Sequence, residues 1–243
     1  MCGFIISTGK IPNTSQKISA LSKIKNRGPD MSRDLYLEKD QIWFGFQRLA
    51  INDLTKNGMQ PMTYRNRYTI VFNGEIYNFK KLKINLKQLG HIFQSETDTE
   101  VLLAAYSQWG EEMLNKIEGM FVFVIWDSKK KIFFIARDPL GQKQVFFYFK
   151  DNKFLIASNP QAIKCMANHV IDLNKSAISY YMALGYIPSE KGIWNDINTI
   201  DSGSYLKFNY ENNRFYNFTK KKYWKLKNFQ NDTKNNSNNF EEI

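Results

Sequence analysis

The chain has 243 residues, 43% of them hydrophobic, and a formal net charge of +11, which is enough apolar material for one substantial core. No apolar run approaches the roughly 18 residues needed to span a bilayer. Only two cysteines and two histidines occur (Cys2, Cys165, His91 and His169), so neither a disulfide framework nor a metal site is expected.

In chain order, apolar spacing predicts strands over residues 3–7, 41–46, 68–72, 120–126, 131–136, 144–149 and 153–157. Turn-rich segments at 127–130 and 150–153 read as hairpins, so antiparallel sheet is the main theme. Helices are predicted over 15–24, over 79–89, over the segment "TDTEVLLAAYSQWGEEML" that opens with Thr97 and Asp98 as candidate caps, and over 176–184. Residues 228–243 hold six asparagines and few apolar residues, the composition of a linker.

The positive charge raises the question of a nucleic-acid partner. The lysines are spread along the chain, and their one dense cluster, "KKKYWKLK" at 220–227, reads as a solvated face. No nucleic acid and no membrane are expected as partners. Residues 1–20 lack a charged start followed by an apolar stretch and a cleavage site, so a cytoplasmic location is expected.

Cys2 is the residue whose chemistry needs explaining. With Met1 removed it would carry a thiol and a free α-amine on one residue, with ordinary pKa values of about 8.5 and about 8, so nucleophile and base could come from the same position. Taken alone, Cys2 reads sooner as a small buried hydrophobe. Asn73-Gly74 alone reads as a hairpin turn, Arg48 as half of a surface ion pair, and Asp98 as a helix cap.

Five segments change that balance: "RGPD" (27–30), "FQRLAINDL" (46–54), "FNGEIYNF" (72–79), "SETDTEVLL" (95–103) and "GMFVFVIWD" (119–127). In this order, behind Met-Cys-Gly, they resemble the class II glutamine amidotransferases over nearly the whole chain. The resemblance implies an α+β N-terminal-nucleophile hydrolase, a four-layer α/β/β/α sandwich with two mostly antiparallel sheets. It implies that Cys2 attacks the side-chain amide of L-glutamine and that Asn73 and Gly74 stabilise the oxyanion. Glutamine would be held by Arg48 at its α-carboxylate and Asp98 at its α-ammonium, with Leu49, Ala50, Ile51, Asn52 and Glu75 completing the pocket. Arg27 to Asp30 would form a supporting turn. The sequence departs from the family pattern at Ile6, Phe46, Pro139, Gln142, Gln144, Asn159 and Gln161.

Residues 181–206 and "KKYW" at 221–224 resemble the stretch that follows the glutaminase domain in glutamine-hydrolysing asparagine synthetases. The resemblance implies a glutaminase domain over 2–210, and a linker with the start of a missing ATP-dependent synthetase domain over 211–243. Ammonia would pass to that domain, in cis or in trans, for asparagine synthesis from aspartate. No cofactor is expected in this chain; ATP and Mg belong to the missing domain. A related amidotransferase with another acceptor, a silent glutamine-binding regulatory module, and assembly as a homodimer are open alternatives.

Overall fold

The first strand, β1 (Gly3–Thr8), is buried along its whole length between β3 (Ile42–Arg48) and β9 (Lys153–Ala157), to both of which it is antiparallel. The structure, a computed structural model, describes residues 2–51, 53–167, 170–187 and 192–226. Outside β3, that sheet ends in β2 (Met31–Leu37). Beyond β9 it continues through β8 (Phe146–Lys150) to β10 (Ile197–Thr199).

A second sheet is centred on β5 (Tyr68–Ile76), β6 (Gly119–Asp127) and β7 (Ile132–Arg137). It is bounded by β4 (Met62–Tyr64) on one side and by β11 (Ser204–Glu211) and β12 (Arg214–Lys222) on the other. All ladders between these strands are antiparallel.

Period-2 alternation sorts side chains to the two faces of each sheet. Phe4, Ile6, Phe44 and Phe46 meet Val71, Val122, Val124 and Phe133 between the sheets. The intervening residues Ile5, Trp43 and Leu155 face outward onto α1 (Thr14–Ser22) and α4 (Pro160–Met166). Ile70, Phe72, Phe123 and Ile125 face α2 (Phe79–Gln88) and α3 (Asp98–Trp109). Helices, sheet, sheet, helices is the expected four-layer sandwich. Ile6 and Phe46, two departures from the family pattern, are fully buried in the central layer, so apolar bulk there fills the space between the sheets.

Several elements differ from expectation. The predicted third helix ends at Trp109 because Gly110 adopts φ +57°, and residues 110–115 continue as a 3₁₀ turn. Helix α4 was not anticipated. It begins with Pro160 at its first position and Asn159 as cap, which accepts the Gln161 N–H at 2.9 Å. The last predicted helix is α5 (Lys175–Leu184). β12 lies inside the stretch 211–243 that the resemblance assigns to a linker and the start of a further domain; its register with β11, from Ser204↔Lys222 to Glu211↔Arg214, ties 214–222 into the sheet. The asparagine-rich residues 228–243 lie outside the described residues.

Candidate active site

Cys2 immediately precedes β1, and its thiol rests against the end of β3. Leu49 N–H points to Sγ at 3.4 Å, and Sγ lies 3.6 Å from the Leu49 carbonyl oxygen. Burial pushes the Cys2 thiol above its ordinary pKa, partly offset by the Leu49 N–H and the positive charge of Arg48. Arg27 Nε donates to the Cys2 carbonyl at 3.4 Å.

The Arg27–Asp30 turn braces the same corner. A Cβ on Gly28 would lie 2.2 Å from the Gln47 carbonyl oxygen, so only glycine lets the turn approach β3 this closely. Asp30 then clasps the strand end, donating its N–H to the Arg48 carbonyl at 3.0 Å and accepting the Ala50 N–H at 2.8 Å.

Arg48 is not a surface ion pair. It is 4% exposed, and its guanidinium donates to the backbone carbonyls of Thr55, at 2.6 Å, and of Asp53. Those carbonyls are presented by a tight turn in which Asp53 Oδ1 accepts both the Thr55 N–H (2.7 Å) and its hydroxyl (2.6 Å). Arg48 Nε–H is taken by neither carbonyl.

Asn73 and Gly74 sit inside β5 rather than in a hairpin turn. β4 pairs with β5 only from Tyr68 to Ile70, so beyond that point one edge of β5 has no strand opposite it. The N–H groups of residues 72, 74 and 76 share that edge, because backbone direction alternates along a strand. Phe72 N–H is accepted by Gln60 Oε1 at 2.6 Å and Ile76 N–H by Asp98 Oδ2 at 3.1 Å. The Gly74 N–H lies between them on the same edge. A Cβ at Gly74 would lie 2.2 Å from the Met120 carbonyl oxygen across the β5–β6 ladder. Asn73 is 1% exposed, and its Oδ1 and Nδ2 are the buried side-chain polar atoms that lack a hydrogen-bond partner among the described residues. An orphaned buried carboxamide costs stability, so keeping one calls for a reason, such as a catalytic role or a bound partner molecule.

At the start of α3, Thr97 is the cap, accepting the Glu100 N–H at 3.3 Å, and Asp98 is the first helical residue. Burial raises the Asp98 carboxyl to about 6, against the opposing N–H bonds from Ile76 and Thr99, with Glu75 adding to the rise. Glu100 fastens the preceding turn through the N–H groups of Gln94 (2.9 Å) and Ser95 (2.7 Å).

Cys2, Arg48, Leu49, Ile51, Asn73, Gly74, Glu75 and Asp98 line one cleft. Ala50 is not in its wall, and Asn52 lies outside the described residues. The cleft is also lined by Gln60, Thr99 and Lys143, none of which the sequence reading singled out. Lys143 is delivered by a loop whose N–H groups at Leu140, Gln142 and Lys143 converge on the fully buried Asp138 carboxylate (3.2, 2.9 and 2.9 Å), so the unusual Pro139 and Gln142 leave its backbone anchored. Among the described residues no group of three or more His, Cys, Asp or Glu could hold a metal ion, and no helix is long and apolar enough to cross a membrane.

A model of the glutamine amidotransferase domain matches residues 1–224. The chain belongs to that family. Among similar sequences are two asparagine synthetases (glutamine-hydrolysing) of Bacillus subtilis strain 168. Number 1 is 35% identical over 84% of this chain and 33% of its own length; number 3 is 36% identical over 76% of this chain and 30% of its own. The chain thus spans about a third of the length of these curated relatives. Among solved structures, the fold of this amidotransferase domain is similar to that of glutamine phosphoribosylpyrophosphate amidotransferase from B. subtilis. That likeness has a TM-score of 0.65 at 16% identity and covers 92% of this chain and 49% of the other.

Proposed function

We propose that this domain hydrolyses glutamine to glutamate and ammonia through a thioester on Cys2. The support that weighs most is the donor pair on β5, the unpartnered Asn73 carboxamide and the edge N–H of Gly74, in the cleft that also holds the Cys2 thiol. Sγ attacks the side-chain amide carbon of glutamine, and the negative charge that develops on the amide oxygen is met by those two donors. One preorganised donor of this kind is typically worth about 10² to 10³ in rate. Collapse expels ammonia and leaves the thioester; water then adds to the same carbon and releases glutamate and the thiol.

Because burial keeps the thiol protonated near neutral pH, attack needs a base. In this reading Met1 is removed and the Cys2 α-amine takes the thiol proton and passes it to the departing ammonia. Arg48 receives the substrate α-carboxylate through donors not taken by the Asp53 and Thr55 carbonyls, and ionised Asp98 receives the α-ammonium, with Leu49, Ile51 and Glu75 around them.

We further propose that the ammonia serves asparagine synthesis from aspartate and ATP in a synthetase domain outside this chain, where ATP and Mg would bind. Support comes from the names of the relatives and from their greater length. A cytoplasmic setting is the companion proposal, and it suits the free thiols of Cys2 and Cys165. To test the reading, Met1-free protein, confirmed by mass spectrometry, is incubated with glutamine while glutamate and ammonia are followed, against Cys2→Ala. Ammonia release that depends on Cys2 is expected. No release, with or without an asparagine synthetase domain added, overturns the proposal.

A further inference from the structure

Gln60 lies in "GMQP" (58–61), a segment that the functional reading leaves without a role. Its side chain is 4% exposed and uses both ends of its carboxamide: Oε1 accepts the Phe72 N–H at 2.6 Å and Nε2 donates to Thr99 Oγ1 at 3.2 Å. Phe72 is the residue before Asn73, and Thr99 is the residue after Asp98. Gln60 therefore joins β5 to the first turn of α3 beside the two sites proposed to read opposite ends of glutamine.

A second tie between the same elements, Ile76 N–H to Asp98 Oδ2 at 3.1 Å, lies four residues further along β5. The two ties bracket Asn73, Gly74 and Glu75. A buried backbone N–H at a strand edge needs a partner. Where β4 gives out, a neighbouring strand would satisfy residues 72, 74 and 76 alike and would bury the Gly74 N–H. Two side chains satisfy 72 and 76 separately and leave the donor between them facing the cleft.

We infer that Gln60 is a positioning residue for glutamine hydrolysis. It fixes the separation between the oxyanion donors at Asn73 and Gly74 and the ammonium acceptor at Asp98, while keeping the Gly74 edge open. The inference rests on the proposed function for its catalytic consequence and on the two hydrogen bonds for its geometry. Misplacement of such groups by about 1 Å can cost about 10²-fold in rate.

The test uses the 243-residue chain. Gln60→Met keeps the volume and loses both bonds; Thr99→Val loses the Nε2 bond, and Thr99→Ser keeps it. Three results are expected of Gln60→Met. Amide hydrogen exchange at Phe72, whose N–H loses its acceptor, speeds up about tenfold or more, while Tyr68 to Ile70, paired with β4, are unchanged. Glutaminase kcat/KM falls about 10- to 100-fold, with kcat lowered and KM raised together. Alkylation of Cys2 by iodoacetamide, which needs neither end of the glutamine site, stays within about twofold of wild type. Thr99→Val is expected to follow in the same direction and Thr99→Ser to restore wild-type values; these two carry the comparison should Gln60→Met fail to fold. Unchanged exchange, kcat/KM within twofold of wild type, or alkylation falling in proportion to turnover would overturn the inference. If the wild-type chain releases no ammonia, the proposed function fails, and the exchange result still decides whether Gln60 orders the Asn73-Gly74 edge.

Discussion

Asp98 Oδ2 accepts the Ile76 backbone N–H at 3.1 Å, joining the first turn of α3 to the last residue of β5 inside the cleft. The carboxyl pays for that place through burial, which raises its pKa from 3.8 to about 6. The folded state thus holds the proton more tightly than the unfolded state does, and stability falls as pH rises from about 4 to about 6. Above pH 6 the cost is fully developed, and a rise of about two units corresponds to roughly 3 kcal/mol as an upper bound. Asp98→Asn is expected to be more stable than wild type by about 1–3 kcal/mol at pH 7 and no more stable below pH 4, as read from urea unfolding at both pH values. Glutamine affinity moves the opposite way, rising with pH through about 6 as Asp98 ionises. Calorimetric titration in a Cys2→Ala background should show this, and Asp98→Asn should bind weakly with no such pH dependence.

Asn73→Ala separates activity from stability. The Asn73 carboxamide has no partner among the described residues, so its removal leaves no described group newly unsatisfied. The expected variant loses about 10² to 10³ in glutaminase kcat while its unfolding free energy stays within about 1 kcal/mol of wild type. Kinetics alongside chemical denaturation would decide, and a large drop in stability would mean that Asn73 is structural.

Arg48→Ala acts on both quantities. From the sequence, this substitution is expected to weaken glutamine binding far more than folding. The buried guanidinium, bonded to the carbonyls of Asp53 and Thr55, alters that expectation. Hydrogen bonds to charged groups are worth about 1.5–3 kcal/mol each, so with two of them a stability loss of about 3–6 kcal/mol should accompany the loss of glutamine affinity. Arg48→Lys, with a compact ammonium in place of a planar fork, should recover part of the stability and little of the affinity. Thermal unfolding and glutamine titration of both variants check this.

Gly28→Ala and Gly9→Ala form a controlled pair. At Gly28 a Cβ would lie 2.2 Å from the Gln47 carbonyl oxygen, whereas Gly9, at φ +89°, has nothing within 4 Å of the added atom. Gly9→Ala should cost about 1 kcal/mol from backbone strain alone and leave glutaminase activity unchanged. Gly28→Ala should cost about 1–3 kcal/mol or more from overpacking, and it should also lower activity, because the displaced turn braces the strand end whose Leu49 contacts the thiol. Equal activity in the two variants would argue against that bracing.

Strands buried on both faces were legible as apolar runs; β1, β5 and β6 are examples, since their side chains alternate between the inter-sheet layer and a helix layer. β2 escaped notice because an edge strand with exposed Ser32, Arg33 and Asp34 carries no such pattern. The proposed site residues Cys2, Arg48, Asn73, Gly74 and Asp98 were legible as motifs, and these residues line one cleft. Gln60 was not, because its partners lie 12 and 39 residues away and nothing local marks a side chain that stands in for a missing strand. The short-range signal at Thr97-Asp98 identified a helix start; which of the two is the cap depended on the tertiary bond from Asp98 to Ile76.

β12 closes one side of the second sheet, and its last residues, Lys220, Lys221 and Lys222, are exposed on that outermost strand. An outermost strand with free backbone groups is a template on which a second molecule can add, and like charges set along it oppose that pairing. Part of the positive charge that raises the question of a nucleic-acid partner thus lies where like charges oppose edge-to-edge pairing of two copies of the sheet, Lys221 and Lys222 more than Lys220, which pairs with Asp201 at 3.0 Å.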